Sequence, residues 1–170
     1  MAANAGTPSG FREVAASMGV PDVHVEGNPY FDFGNVQEPV MMRFAHHEFG
    51  ILANDWLLCS EHDRRIMATP DGLSLDHTLI AECKTTGDPW DGTESNLKKL
   101  PIKYRRQVQF QLLVTGAERC LFLWLLRADG PHGFYAPWLE PRHVWIERDP
   151  KMIEELASIA DRLLNFKEDF

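Results

Sequence analysis

Apolar residues recur along this chain with two different periods, and the change of period divides it. Between residues 36 and 49, Val40, Met41, Phe44, Ala45 and Phe49 return every three to five positions and line one face of an α-helix. Asn35 is placed to cap that helix and Gly50 to end it in a left-handed turn. From Ile51 the apolar positions fall into short runs, 51–59, 65–69 and 78–85. The polar turns 60–64 and Pro70-Asp71-Gly72 separate them, which predicts a β-meander. Residues 88–101 read as a loop, and 103–114 as a helix stopped by Gly116. Cys120 to Leu126 is apolar at every position, which suits a strand buried on both faces. Further strands are predicted over 134–138 and 144–146. From Pro150 a last helix buries Met152, Ile153, Leu156, Ile159, Ala160, Leu163 and Leu164. At the front, 8–18 predict a short helix capped by Thr7 and ended by Gly19, with a loop over 19–33. The order (α)αβββαββα describes one mixed α/β domain over 34–170, preceded by a short extension over 1–33.

Composition narrows the class. With 44% hydrophobic and 25% charged residues, the 170-residue chain is neither disordered nor a coiled coil, and it is long enough for a core without staples. Cys59, Cys83 and Cys120 form no CxxC pair, so neither a disulfide framework nor a zinc site is expected, and the compartment reads as reducing. No apolar run reaches the roughly 18 residues of a spanning helix, and residues 1–9 lack a signal-peptide core. A soluble, cytoplasmic protein without a membrane partner is expected. The net charge of −8 speaks against phosphate-backbone contact over the chain as a whole. Locally the balance reverses. Lys98, Lys99, Lys103, Arg105 and Arg106 form a run of cations with no acid among them, a patch fit for a DNA backbone.

Candidate chemistry lies in Thr69-Pro70-Asp71-Gly72 and Ala81-Glu82-Cys83-Lys84. Glu82 and Lys84 are two apart in an extended segment and share a face. A turn through 73–78 returns the chain so that Asp71 comes near Glu82. Two carboxylates with the Cys83 backbone carbonyl suit a hard cation such as Mg²⁺. Lys84 beside it can orient or help deprotonate an attacking water, or steady charge on a phosphate. A Glu–Lys pair on a strand is more often a solvated face. The apolar Leu79-Ile80-Ala81 ahead of it sets this pair at the edge of a buried strand, where charges must be paired or metal-bound. Glu38, at the expected start of the second helix, offers a third carboxylate, and Gln107 and Gln111 share one helical face. Singly, these are usually a capping acid and solvated glutamines. His46 and His47 read as surface residues, His62-Asp63 lacks partners for phosphohydrolase chemistry, and Trp90 is placed to stack on a base or wedge a duplex end.

Taken in order, Gly34-x-x-x-Glu38-Pro39, Thr69-Pro70-Asp71-Gly72-Leu73, Glu82-Cys83-Lys84 and Tyr104-x-x-Gln107-Val-Gln109 leading to Gly116 resemble one family. It is the lambda-exonuclease and YqaJ-type viral recombinase family of PD-(D/E)XK nucleases, and the resemblance spans 28–149. The resemblance implies a restriction-endonuclease-like αβββαβ core with a mixed central sheet flanked by helices. It also implies Mg²⁺- or Mn²⁺-dependent hydrolysis of DNA, 5′ to 3′ on linear duplex, in phage-type recombination inside a bacterial host. A single-strand annealing protein is the implied partner, and a homo-oligomer the implied assembly. By the same resemblance Asp71 and Glu82 are metal ligands, Lys84 activates water, Glu38 is an accessory acid for a metal or its water, and Gln107 assists. Members carry an arginine and a Thr-Ala-Ser-Asp-like stretch ahead of the Glu-Pro helix; here Arg12 is the one arginine before Gly34. That short front and the acidic balance also admit two alternatives, a non-catalytic relative binding DNA or protein and an endonuclease of the same fold. The intact Asp71, Glu82 and Lys84 argue against the non-catalytic one.

Overall fold

The computed structural model describes residues 4–17, 27–88 and 100–168. Trp90, Lys98, Lys99 and the proposed Gly19 stop lie outside them. The described elements are α1 (Pro8–Ser17), α2 (Pro29–Phe49), β1 (Ile51–Ala53), β2 (Leu58–Cys59), β3 (Met67–Ala68), β4 (Gly72–Ser74) and β5 (Leu79–Thr86). Then come α3 (Ile102–Thr115), β6 (Arg119–Leu126), β7 (Ala128–Gly130), β8 (Gly133–Tyr135), β9 (Arg142–Glu147) and α4 (Pro150–Glu168).

One five-stranded sheet, in the order β1-β4-β5-β6-β9, forms the centre. Its β1–β4, β4–β5 and β6–β9 pairs are antiparallel, while β5 and β6 run parallel, with α3 lying between them in the chain. Strand alternation splits the core in two. Ile80, Cys120, Phe122 and Trp124 pack with Val108 and Leu112 of α3, whereas Ala81, Cys83, Leu121, Leu123 and Leu125 pack with Met41, Met42 and Ala45 of α2. Burying both faces is what the unbroken apolar run of β6 requires, at about 1.5–3 kcal/mol for each large side chain. A third cluster, with Val14, Ile66, Val114, Ile159 and Leu163, joins α1 and α4 to the outer side of α3.

Three expectations need correction. α2 begins at Pro29 rather than Val36: Asn28, not Asn35, accepts the capping bond from the Tyr30 N–H at 3.0 Å. Pro29 suits a first helical position, and buried Phe33 ties the extra turns to the body. The helix therefore runs unbroken across residues 33 and 34, where the extension was expected to meet the domain, and Glu38 sits within it rather than at its start. The meander is also different. Segment 51–59 breaks into β1 and β2, and β2 with β3 forms a separate two-stranded sheet. Asp71 then leads directly into β4, so Pro70-Asp71-Gly72 opens a central strand instead of turning between strands. Lastly, the strand predicted over 134–138 shortens to β8, which pairs with β7 in its own hairpin.

Candidate active site

Strand register brings the two carboxylates together. β4 and β5 pair Gly72 with Ala81 and Leu73 with Ile80, and one step further on the same register sets Asp71 beside Glu82. The hairpin turn is fixed locally. Asp76 Oδ1 accepts from Ser74 Oγ at 2.7 Å, Thr78 Oγ1 at 2.8 Å and Thr78 N at 3.1 Å, and these bonds hold its carboxyl down at about 2. At the other end, Asn54 fastens the approach to Asp71. Its N–H donates to the Asp71 carbonyl at 2.9 Å and its Nδ2 to the Pro70 carbonyl at 2.8 Å. Gly72 allows the strands to meet here, since a Cβ would lie 2.5 Å from Met42 Cε and 2.9 Å from Ile51 Cγ2.

Glu82 is 1% exposed, and its charge is answered by donors from two elements. Gln107 Nε2 donates to Oε1 at 2.6 Å, Gln111 Nε2 to Oε2 at 2.6 Å, and the Lys84 ammonium pairs with Oε1. The helical spacing of four between the glutamines sets both amides against one carboxylate. A buried carboxylate needs such a set, because each of these charge-assisted bonds offsets part of a desolvation cost of several kcal/mol. Lys84 Nζ also lies 5.7 Å from the centre of the Tyr104 ring. Asp71 Oδ2 accepts from the Cys83 N–H at 2.6 Å, while Oδ1 takes no hydrogen bond among the described residues.

Electrostatics follow from this crowding. Burial, then the Glu82 charge, pushes the Asp71 carboxyl up to about 7. Burial, again joined by Glu82, raises Glu38 on the facing side of the site. Burial works against the Lys84 ammonium, but Glu82 and Asp71 outweigh it and hold the lysine above its ordinary value. The Cys83 thiol is driven up by burial and turns to Met42, its Sγ 3.6 Å from the Met42 Sδ, so it is packing rather than a ligand. In a strand a residue's N–H and carbonyl leave the same edge, which puts the Cys83 carbonyl on the Asp71 side.

Among the described residues no three His, Cys, Asp or Glu side chains converge into a metal cage. Two carboxylates, with Oδ1 of Asp71 open, and a backbone carbonyl are instead the hard, incomplete oxygen set that suits Mg²⁺, which keeps several waters. A cavity of about 420 Å³ reaches this set at Cys83 and Lys84 and is lined by Glu38, Tyr104, Gln107, Tyr30 and Arg127, among others. Asp71, Glu82, Lys84 and Gln107 thus meet, with Glu38 across the cavity. Arg106 does not join them, since it is 12% exposed and its Nη1 pairs with Glu155 of α4 at 2.9 Å. Lys103 lies over the Tyr104 ring, Arg105 is half-buried on the first turn of α3, and Arg12 is exposed on α1 outside the cavity. His46 and His47 are exposed on α2, with His47 bonded to Glu48. Sequence reasoning paired Gln111 with Gln107 without finding its carboxylate, and it missed Asn54 and Arg127. An Asn before a Trp and an Arg after an apolar strand carry no signal until the sheet is assembled.

The mixed sheet, with Asp71 at the mouth of one strand and Glu82 and Lys84 on the next, is the PD-(D/E)XK nuclease fold. More narrowly, the chain belongs to the family of YqaJ-like viral recombinase domains, whose model matches residues 11–118. A phage-related exonuclease from Haemophilus somnus 129PT is similar at a TM-score of 0.70 and 18% identity, covering 93% of this chain and 79% of that one. An alkaline exonuclease from Laribacter hongkongensis is similar at 0.70 and 21%, covering 99% and 87%. The same enzyme in complex with dAMP gives 0.72 and 20%, with the same coverage. None of the curated proteins matches the chain. Family and fold together support a phage-type exonuclease. Among the described residues, no helix is long and apolar enough to cross a membrane.

Proposed function

We propose that this protein is a divalent-metal-dependent deoxyribonuclease that hydrolyses linear duplex DNA from its ends, 5′ to 3′. The observation that carries the reading is the facing pair Asp71 and Glu82, with Glu82 buried, Asp71 half-buried and Lys84 as the cation in contact. Asp71, Glu82 and the Cys83 carbonyl would hold Mg²⁺ or Mn²⁺, with Glu38 as an accessory acid. When bound, such an ion lowers the pKa of water and neutralises charge on the scissile phosphate. Burial works against the Lys84 ammonium while the Glu82 and Asp71 charges hold it. From there Lys84 can orient or help deprotonate the attacking water, or steady developing charge on the phosphate. Gln107 and Gln111 fix the Glu82 carboxylate so that it needs no reorganisation during the reaction. DNA is the substrate in this reading, and the exonuclease named in complex with dAMP is consistent with a nucleotide-sized product. A single-strand annealing partner, a homo-oligomer and a role in recombination inside a bacterial cell belong to the same proposal, and the match to a viral recombinase domain supports the last of these as far as recombination.

The test compares linear duplexes, with 5′-phosphate or 5′-hydroxyl ends, against closed circular DNA, in Mg²⁺ and in EDTA. Metal-dependent loss of linear DNA alone, abolished in folded Glu82→Ala and Lys84→Ala, is the expected result. Cutting of the circle would make the protein an endonuclease. No cleavage by folded protein in Mg²⁺ or Mn²⁺ would leave a nuclease scaffold that only binds.

A further inference from the structure

The active-site cavity extends past the residues to which the proposed hydrolysis is assigned. There the wall is made by Tyr30 and Phe31 of α2 and by Arg127, the residue between β6 and β7. The Arg127 N–H donates to the Thr86 carbonyl at 2.7 Å, so the side chain departs from the carboxyl ends of the two parallel strands. Open α/β sheets hold ligands at such ends. The guanidinium carbon lies 4.6 Å from the centre of the Tyr30 ring and 5.0 Å from that of Phe134. Phe134 is packed in turn on Tyr30 at 5.0 Å and on buried Phe33 at 5.9 Å. These rings hold the guanidinium in place and contribute cation–π attraction, yet supply no negative charge. Among the described residues Arg127 makes no ion pair. In a chain of net charge −8, an arginine fixed at this cavity, with no ion pair among the described residues, is placed for an anion from outside.

We infer that Arg127 binds a backbone phosphate flanking the scissile one, with its sugar or base against the exposed rings of Tyr30 and Phe31 (54% and 64% accessible). This rests on the nuclease reading and adds to it the grip on the neighbouring nucleotide. The site separates binding from chemistry: Arg127 holds the strand while Lys84 acts at the reacting phosphate. Arg127→Lys keeps the charge but loses the flat face that stacks on the rings.

The test measures cleavage of a short linear duplex in Mg²⁺ and binding of the same duplex in Ca²⁺ for the native chain, Arg127→Gln and Arg127→Lys. Arg127→Gln should raise KM and Kd about tenfold with kcat within about twofold, and lower the salt slope of binding by about 1. Arg127→Lys should recover part of that affinity. A duplex carrying one neutral methylphosphonate at the flanking position should cost the native chain what Arg127→Gln costs, and cost the variant nothing further. Equal KM, Kd and salt slope in native chain and Arg127→Gln would overturn the inference and leave the nuclease reading standing. So would a methylphosphonate penalty at every flanking position that is undiminished in the variant. Arg127-dependent binding with no cleavage by any of the three would support the phosphate site while removing the nuclease reading.

Discussion

Asp71 and Glu82 face each other in a poorly hydrated site, and the shift of Asp71 to about 7 records how unwelcome a second negative charge is there. The consequence for stability has a definite sign. The folded-state value lies above the ordinary 3.8, so the folded protein binds more protons than the unfolded chain between about pH 4 and 7. The stabilisation is complete below the unfolded value and is lost as pH rises through about 7. Without metal, thermal stability should therefore carry a component that declines from acid to neutral pH. In the proposed metal site Mg²⁺ must displace that proton, so it should raise Tm little near pH 5 and clearly near pH 8, where a hundredfold excess over Kd adds about 3 kcal/mol of stability. Asp71→Asn should remove both the declining component and most of the Mg²⁺ effect. A melting series with and without Mg²⁺ that shows the same increment at both pH values would disconnect Asp71 from the metal.

Strand β4 is three residues long, yet it sets the distance between Asp71 and Glu82, and Gly72 is its tightest point. With Met42, Ile51 and the Ala81 Cβ at 3.0 Å or less from where a methyl would stand, Gly72→Ala should cost about 1–3 kcal/mol by overpacking. Because the strand must move to relieve the clash, activity should fall further than the drop in stability explains. Thermal melts beside initial rates check this, and full activity at an unchanged Tm would show that β4 is free to yield. The same strand marks where sequence reading stops. The long apolar β6, the Gly116 stop of α3 and the amphipathic α4 were legible because each carries its period or its cap locally. Glu82 and Lys84 were legible because their spacing on a strand fixes their common face. Gly-Leu-Ser was not legible as a strand, because its glycine is there for a contact with Met42 and Ile51, residues far away in sequence. Asn35 misled in the opposite way: it reads as a cap, but α2 already runs through it, and Pro39 in the middle of the helix leaves the Asn35 carbonyl without its helical donor.

On the proposed function an acidic protein must hold a polyanion, and within the described part of the basic run Arg106 is engaged differently from Lys103 and Arg105. Lys103 and Arg105 lie on the first turn of α3, the helix that gives Tyr104 and Gln107 to the cavity, and follow Lys98 and Lys99 in the sequence. Arg106, one residue on, points away and pairs with Glu155 across the α3–α4 contact. The helical turn of about 100° per residue separates Arg105 from Arg106, while Lys103, a near neighbour of Arg106 on the helix surface, is drawn instead over the Tyr104 ring. Only the first group should release counterions when DNA binds. Replacing Lys98, Lys99, Lys103 and Arg105 by Gln should lower the slope of log K against log salt by up to about 0.9 for each phosphate left without its cation. Arg106→Gln should leave that slope as it is. It should instead lower stability by about 1–3 kcal/mol, between the values for an exposed and a buried ion pair, since Arg106 is 12% exposed and Glu155 53%. Binding titrations over a salt series, with melts of the same variants, separate the two effects. A slope that falls as much for Arg106→Gln as for Arg105→Gln would mean that the arginine leaves Glu155 when DNA arrives, and the helix pair would then be part of the binding surface rather than its support.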